Sequence, residues 1–291
     1  MVRNWTIVIL LTIAVAAFGF GAFGPVGIPS GQIRQRVSTT VATTTTTTIP
    51  FTAYTNLVGQ WISNISASDA AAGVYPDPIN SLDGTQATAS ARGTYTNAHG
   101  GGITLDGGDW VEVADDILLS LISGGVDAPR SFVFFGKPAS TTPRVMLGKR
   151  DDSLGVAEYL IQVDANSDMA SALFDGTTSI RRQRHSNVAL QGLSGNDIMF
   201  TFAYDGRGGT DANDGMINYT NASILDVVDN NAGTYIDMED TAAKFYIGAY
   251  MDASSPDNAY NWQGDIYDVM LFDKELTLTE ITNILDYVEN N

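Results

Sequence analysis

Residues 51–291 of this 291-residue chain predict an all-β domain, a two-sheet antiparallel jelly-roll sandwich that ends in a short helix. Short runs of β-branched and aromatic residues recur along the segment, which is typical of strands. Turn-forming dipeptides separate these runs, as in sandwiches of many short strands. The dipeptides are Asp83-Gly84, Asp106-Gly107, Asp175-Gly176, Asp205-Gly206 and Asp214-Gly215. Helical periodicity is confined to the C-terminal end, with one further candidate at residues 115–121.

The strands are predicted from the apolar and aromatic runs between the turns. A run of this kind, four to eight residues long and bounded by Gly, Asp or Asn, favours a strand over a helix. The predicted strands, in chain order, are 57–61, 103–105, 110–113, 131–135, 145–147, 159–163, 171–174, 198–204, 216–219 and 244–250.

The C-terminal segment 262–281 indicates a turn, a strand, a second turn and a capped helix. Gly264 suits the first turn, and the residues at 266–271 suit the strand. Thr277 and Glu280 have the spacing of a capping box, in which each side chain accepts a hydrogen bond from the other residue's backbone N–H. The helix that follows is expected to bury one face, formed by Ile281, Ile284, Leu285 and Val288.

The first 50 residues predict an anchoring or assembly segment. Residues 5–23 are almost wholly apolar and long enough to span a bilayer as a helix. Small residues within them allow close packing of identical helices, so residues 1–24 predict either a membrane anchor or a helix that joins identical subunits. We expect a homo-oligomer if this segment is retained; the alternative is a cleaved secretion signal. Residues 25–50, rich in Pro and Thr, predict an extended stalk.

The charge balance is strongly acidic. Asp and Glu number 33 against 15 Lys and Arg, which gives a formal net charge of −18. A chain of this kind does not bind nucleic acid through a general positive field. There are no cysteines, which excludes disulfides and thiolate metal sites. The acidic surface favours solubility; a salty habitat or calcium sites are the alternatives.

The order of these motifs resembles the laminin G-like domains of the concanavalin A-like lectin/glucanase superfamily. Segment 262–281 is similar to the closing signature of that family, and residues 105–113 (LDGGDWVEV) are similar to its turn into an aromatic strand. Further similar stretches are 57–61, 131–135, 147–149, 200–206 and 246–248. The resemblance implies two curved antiparallel sheets that face each other, with Trp262 in the core.

No catalytic motif is apparent in the sequence. The resemblance implies that a glycoside hydrolase would carry carboxylates at alternate positions of one strand, where they share a face. The nearest match is residues 237–240 (DMED), but Tyr235 stands where the first acid should be. His99 and His185 are the only histidines, and there is no nucleophile elbow, zinc motif or phosphate-binding loop. We therefore expect a protein that is not an enzyme.

Calcium is the cofactor that the resemblance implies. Ca²⁺ takes six to eight oxygen ligands, and loop 205–215 is the segment richest in them. The candidate ligands are Asp205, Asp211, Asn213 and Asp214. The alternative is an ordinary polar turn, because Asp, Asn and Gly dominate turns in any case.

Two groups of residues are candidates for ligand binding. Tyr250, Tyr260 and Asn261 cluster near residues 251–263, where aromatic rings and an amide suit a sugar, and Tyr260 and Asn261 are expected at the surface. The run 181–185 (RRQRH) is the one basic cluster and suits phosphate or sulfate on an acidic glycan. Its candidates are Arg181, Arg182 and Arg184. The alternative is that this run forms the solvated face and tip of a hairpin.

The sequence as a whole favours a non-catalytic, surface-displayed adhesion module that binds glycans or a surface protein. The alternative is a structural or decorating subunit of a virion or extracellular filament, and a glycoside hydrolase is a third hypothesis. The expected location is the extracellular face of a membrane, or the exterior of a virion or filament.

Overall fold

The computed structural model describes residues 56–86, 92–139, 144–164, 168–186, 194–252, 255–256 and 260–290. The predicted anchor at 1–24 and stalk at 25–50 lie outside these ranges, so both stay predictions. No helix within the described ranges is both long enough and apolar enough to cross a membrane.

Antiparallel strands dominate the described part of the chain. In chain order they are β1 (Leu57–Trp61), β2 (Val74–Tyr75), β3 (Gly84–Thr85), β4 (Thr94–Thr96), β5 (Gly102–Asp106), β6 (Val111–Val113), β7 (Ile122–Ser123), β8 (Val126–Asp127), β9 (Arg130–Pro138), β10 (Arg144–Asp151), β11 (Val156–Val163), β12 (Met169–Phe174), β13 (Arg181–Ser186), β14 (Ile198–Tyr204), β15 (Met216–Thr220), β16 (Ser223–Ile224), β17 (Val227–Asp229), β18 (Phe245–Ile247) and β19 (Gln263–Phe272). The long apolar runs predicted as strands are all present, within a few residues at their ends.

Two large sheets form the sandwich. The first has the order β16-β15-β14-β9-β19-β5-β4, and β1 pairs with β19 beside this path. The second has the order β17-β13-β12-β11-β10-β18-β6-β3-β2, and β7 and β8 form a separate hairpin. This arrangement confirms the predicted two-sheet antiparallel sandwich.

Aromatic side chains from both sheets meet in the core. The ring of Phe132 on β9 lies 4.8 Å from that of Tyr159 on β11. The ring of Trp61 on β1 lies 5.3 Å from that of Phe245 on β18. Trp262 is fully buried and packs edge-on against Phe134, with ring centroids 4.8 Å apart, which confirms its expected place in the core. Large aromatic rings contribute much of the buried apolar area of such a core.

Two helices flank the sandwich, one predicted and one not. Helix α2 (Leu278–Asn290) is capped as expected, because Thr277 N–H donates to Glu280 Oε2 at 2.9 Å and Glu280 N–H donates back to Thr277 Oγ1 at 3.4 Å. Its buried residues are Ile281, Ile284 and Val288, while Leu285 is only partly buried.

The expectation that only the C-terminal end is helical is wrong at residues 67–72. Helix α1 (Ala67–Ala72) is short, so no apolar period marks it. Its start is fixed by a capping box between Ser66 and Asp69, and its end by Gly73 in a left-handed conformation (φ 70°). At the other candidate, residues 115–121, the structure has a single 3₁₀ turn at Ile117–Leu119.

Candidate functional site

The basic run at 181–185 is a strand, which separates its arginines. In β13 successive side chains point to opposite faces. Arg182 is 6% exposed and points inward, where its guanidinium donates to the carbonyls of Thr210 (3.1 Å) and Gly233 (3.3 Å). The structure therefore corrects the expectation that Arg181, Arg182 and Arg184 act together on one ligand. The alternative, the solvated face and tip of a hairpin, is not contradicted, because β12 and β13 pair as a hairpin and Arg181 is the first residue of β13.

Arg184 joins the sheet to the neighbouring loop. Its Nη2 lies 3.1 Å from a carboxylate oxygen of Asp214, and its Nε lies 3.0 Å from one of Asp229. Its Nη1 donates to the carbonyl of Met216 at 2.8 Å. These bonds give Arg184 a structural role on the side of β13 opposite to Arg181.

Loop 205–215 does not assemble the expected calcium ligands. Asp205 forms an ion pair with Arg207 (2.5 Å), and Asp214 forms one with Arg184. Asn213 donates its amide to Asp229 at 2.5 Å, and Asp211 accepts a bond from the hydroxyl of Thr210 at 3.3 Å. Within the described ranges no group of three or more His, Asp or Glu residues could hold a metal ion. The four candidate ligands are thus bonded to protein groups in this arrangement, and calcium binding by this loop stays a prediction.

Tyr250, Tyr260 and Asn261 occupy three different environments. Tyr260 is 47% exposed, whereas Tyr250 is 8% exposed and packs on the outer face of the second sheet. Asn261 is fully buried, so its expected place at the surface is wrong. Within the described residues neither amide atom of Asn261 has a hydrogen-bond partner. Asn261 is buried because it directly precedes Trp262, whose side chain packs in the core.

A groove runs across the outer face of the second sheet, the face turned away from the first sheet. Alternate residues of β11 and β12 divide between the two faces: Tyr159, Ile161 and Leu173 join the main core, whereas Leu160 and Ala172 form a separate outer cluster. The groove encloses about 290 Å³. Its lining residues are Arg150, Leu160, Gln162, Ala172, Phe174, Arg181, Gln183, His185 and Asn230.

Strand register explains why these side chains converge. Ala172 on β12 lies between Leu160 on β11 and Gln183 on β13, each its direct cross-strand partner. Phe174 and Arg181 are partners in the same way. Direct partners hold their Cβ atoms about 5 Å apart, and the small side chain of Ala172 leaves the space that larger neighbours surround. A site built on paired strands is held more rigidly than one on loops.

Arg150, a basic residue of the groove wall, has a carboxylate partner and two aromatic neighbours. Arg150 bonds both carboxylate oxygens of Asp152, at 2.6 and 2.8 Å. Its guanidinium carbon lies 4.8 Å from the ring centroid of Tyr250 and 5.5 Å from that of Phe174, which is cation–π geometry. This places the sequence-predicted Tyr250 behind the groove, as the support of an arginine that sequence reasoning missed.

His185 is held in one orientation by two neighbours. Its Nδ1 lies 2.5 Å from a carboxylate oxygen of Asp164, and its Nε2 lies 3.3 Å from the amide nitrogen of Asn230. An amide nitrogen only donates, so Nε2 accepts, and the proton of a neutral ring lies on Nδ1, from which it is donated to Asp164. The ring is thereby fixed as part of the groove wall.

The residues that sequence analysis missed have a weak sequence signal. Positions 181, 183 and 185 alternate along one strand, which is the spacing of a single sheet face. Reading RRQRHS as a strand would have placed Arg181, Gln183 and His185 together. Charged and amide side chains are uncommon in strands, so the period of two is not accompanied by the usual apolar residues.

A cluster of three carboxylates surrounds the buried ammonium of Lys149, apart from the residues that line the groove. The ammonium of Lys149 lies 2.5 Å from Glu158 and 2.8 Å from Asp115, and both Lys149 and Glu158 are fully buried. Burial raises the pKa of Glu158, and the charge of Lys149 partly opposes this rise. Asp240, from the acidic segment 237–240, lies 3.7 Å from the same ammonium. This cluster stabilises a buried charge and presents no carboxylate pair to the groove.

Comparisons with known proteins bear on the fold. Neither a family model nor a curated protein matches the chain. It is similar in structure to the binding domain of Paraclostridial Mosquitocidal Protein 1, with a TM-score of 0.56 at 9% identity, over 80% of this chain and 52% of that chain. It is also similar to the Trypanosoma rangeli sialidase in complex with sialic acid, with a TM-score of 0.52 at 14% identity, over 81% of this chain and 33% of that chain.

A third similar structure matches over nearly its full length. Domain 4 of AbnA, a GH43 extracellular arabinanase from Geobacillus stearothermophilus in complex with arabinotriose, has a TM-score of 0.51 at 14% identity, over 79% of this chain and 98% of that chain. This chain spans about half of the mosquitocidal protein's binding domain and a third of the sialidase. At these identities the likeness defines only the class of fold, a two-sheet antiparallel β-sandwich. Laminin G-like membership stays a prediction.

Proposed function

We propose that the chain is a non-catalytic glycan-binding module and that its binding site is the groove on the outer face of the second sheet. The observation that carries the proposal is the composition of the groove wall. Arginine, amide and histidine side chains, which hydrogen-bond sugar hydroxyls, surround an apolar floor of Leu160, Ala172 and Phe174. Saccharide sites combine apolar contact with a few oriented polar groups in this way.

The comparisons support the same class of ligand. The sialidase is described with sialic acid and the arabinanase domain with arabinotriose, so two proteins of similar fold hold saccharides. The structure of the mosquitocidal protein is likewise that of a binding domain. By analogy, this chain recognises a glycan on a surface that it contacts. Display outside a cell or particle, through the predicted anchor, belongs to the same proposal.

The absence of acids from the groove wall argues for binding over catalysis. Glycoside hydrolysis needs two carboxyl groups on either side of the scissile bond. None of the nine groove-lining residues is an acid within the described part of the chain, and Asp152 and Asp164 are bonded to Arg150 and His185. The groove can therefore hold a sugar, and no described pair of acids is placed to cleave it.

A groove-filling variant tests the proposal. Ala172→Trp places an indole in the groove, on the outer cluster and outside the main core, so the fold should be retained. Ile224→Trp adds the same ring at an exposed position, 62% accessible, on the edge strand β16 of the other sheet. On a glycan array, the wild type and Ile224→Trp should bind the same saccharides, and Ala172→Trp should lose them.

Two results would contradict the proposal. If the folded wild type binds no saccharide on the array, the proposal of a glycan ligand is wrong. If Ala172→Trp binds as well as the wild type, the groove is not the binding site. Release of free sugar from any bound oligosaccharide would show catalysis instead of simple binding. Circular dichroism of each variant checks that the sandwich is intact.

A further inference from the structure

We infer that the groove selects a carboxylate-bearing saccharide, and that Arg181 binds the carboxylate. This inference rests on the proposed function and adds to it the chemical class of the ligand. It depends on the hydrogen bonds and ion pairs of the three basic residues in the groove wall, which are Arg150, Arg181 and His185.

Among the described residues, Arg181 is the basic residue of the groove wall that forms no ion pair with a carboxylate. Arg150 is neutralised by Asp152, and His185 is bonded to Asp164. In the described part of the chain, the Arg181 side chain donates a hydrogen bond from its Nε to the amide oxygen of Gln183, at 3.0 Å. A guanidinium has five N–H donors, so the two terminal nitrogens retain four of them for a ligand.

The acidity of the whole chain makes this arrangement informative. The chain carries 33 acids against 15 Lys and Arg, so an arginine has many possible intramolecular partners. Four described arginines outside the groove wall, at positions 92, 130, 144 and 182, donate to backbone or amide oxygens. Arg150, Arg184 and Arg207 pair with aspartates. A guanidinium without such a partner, in the wall of a groove, is suited to an anion that arrives from outside. The acidic remainder of the surface disfavours anions elsewhere.

The neighbours of Arg181 indicate that the anion is attached to a sugar. Its direct cross-strand partner is Phe174, whose ring lies on the apolar floor with Leu160 and Ala172. A pyranose ring that contacts this floor brings a carboxylate on its edge within reach of Arg181. Gln183, bonded to Arg181 Nε, fixes the guanidinium plane, and a planar guanidinium matches a carboxylate through two parallel hydrogen bonds.

The test compares each acidic saccharide with its neutral form. The probes are uronic-acid and nonulosonic-acid oligosaccharides, each beside its carboxyl-reduced counterpart, and a sulfated neutral oligosaccharide. Calorimetric titration of the full chain should give about 10- to 100-fold tighter binding of the carboxylated member of a pair, which is the effect of one charge-assisted bidentate contact.

Three variants assign this preference to one residue. Arg181→Gln should weaken binding of the carboxylated probe about 10- to 100-fold and leave the reduced probe within about 2-fold. Arg181→Lys, which keeps the charge but loses the planar pair of donors, should fall between. Arg207→Gln, at an exposed arginine of loop 205–215, is the matched control and should bind like the wild type.

Each alternative result separates the inference from the function it rests on. If carboxylated and reduced probes bind equally, and Arg181→Gln changes neither, the carboxylate assignment is wrong while the glycan-binding groove stands. If the sulfated probe binds more tightly than every carboxylated probe, the inference that the groove selects a carboxylate is also wrong. If no probe and no array glycan binds the folded chain, the proposed function itself fails.

Discussion

Replacing Asp268 by asparagine should remove a downward slope in folding stability between about pH 5 and about pH 8. Asp268 is 4% exposed, and Gln60 Nε2 donates to both of its oxygens, at 3.1 and 2.9 Å. Burial raises its pKa to about 7, although hydrogen bonds from Gln60, Ser63 and the Val269 backbone act in the opposite direction. No cation among the described residues contributes to this shift.

The sign follows from proton binding in the two states. Below the ordinary pKa of 3.8 the carboxyl is protonated in both the folded and the unfolded chain, so it has no differential effect. Between 3.8 and about 7 the folded chain keeps a proton that the unfolded chain has lost, so stability falls as pH rises. Above about 7 the loss is complete. One pKa unit corresponds to about 1.4 kcal/mol, so the wild type should lose roughly 3 kcal/mol between about pH 5 and about pH 8 through this group.

Urea unfolding of the wild type and Asp268→Asn at several pH values measures this loss. The asparagine variant keeps the shape and lacks the titrating proton, so its stability relative to the wild type should rise by roughly 3 kcal/mol over the interval. Asp226→Asn, at an exposed position, is the control and should follow the wild type. Parallel pH profiles for the wild type and Asp268→Asn would refute the argument that a buried, neutral carboxyl links β1 to β19.

Three further outcomes are expected. Lys149→Met should destabilise the chain by about 3–5 kcal/mol in urea because it leaves the buried Glu158 without its cation, and adding Glu158→Gln should recover part of the loss. An additive double variant would contradict this coupling. Thr277→Ala should cost about 1 kcal/mol by removing one half of the α2 capping box; an unchanged urea midpoint would contradict it. Calcium should leave the thermal unfolding midpoint unchanged, since Asp205 and Asp214 of loop 205–215 are bonded to arginines, and a rise that a chelator reverses would support the calcium prediction.

The sandwich could be predicted from sequence because its central strands carry the signal in their own residues. Strands β9, β14 and β19 each contain a run of consecutive apolar and aromatic residues that are buried on both faces. Such runs indicate strands without knowledge of their neighbours. Helix α2 was predictable for a similar reason, since its cap and its buried face lie within one short segment. Helix α1 has too few residues to show a period.

The groove could not be predicted because it is a property of register. Its wall is formed by residues of β10, β11, β12 and β13 and by Asn230. No local sequence pattern predicts how these strands pair, and therefore which of their side chains lie next to each other on one face. The sequence analysis offered one candidate group near Tyr260 and another in the basic run 181–185, and only the second contributes a residue to the groove on the sheet face. Only Arg181, of the six predicted ligand-binding residues, lines the groove, and Tyr250 supports it from behind.

Arg150 demonstrates how one irregularity decides the composition of the site. Val145 belongs to the outer cluster, and strict alternation from it would place residues 147 and 149 outward and Arg150 inward. A register shift between Val145 and Leu147 reverses the phase, so Leu147 joins the core, Lys149 reaches the buried Glu158, and Arg150 faces the groove. This shift therefore turns Lys149 toward the core and the stacked arginine toward the groove. A second shift, between Lys149 and Arg150, leaves Glu158 as an extra residue of β11 beside Tyr159, where it is buried. Because Arg181 lines the groove on the outer face of the second sheet, whereas Lys149 is buried on the inner face, groove variants such as Arg181→Gln should alter binding without the loss of stability expected from Lys149→Met.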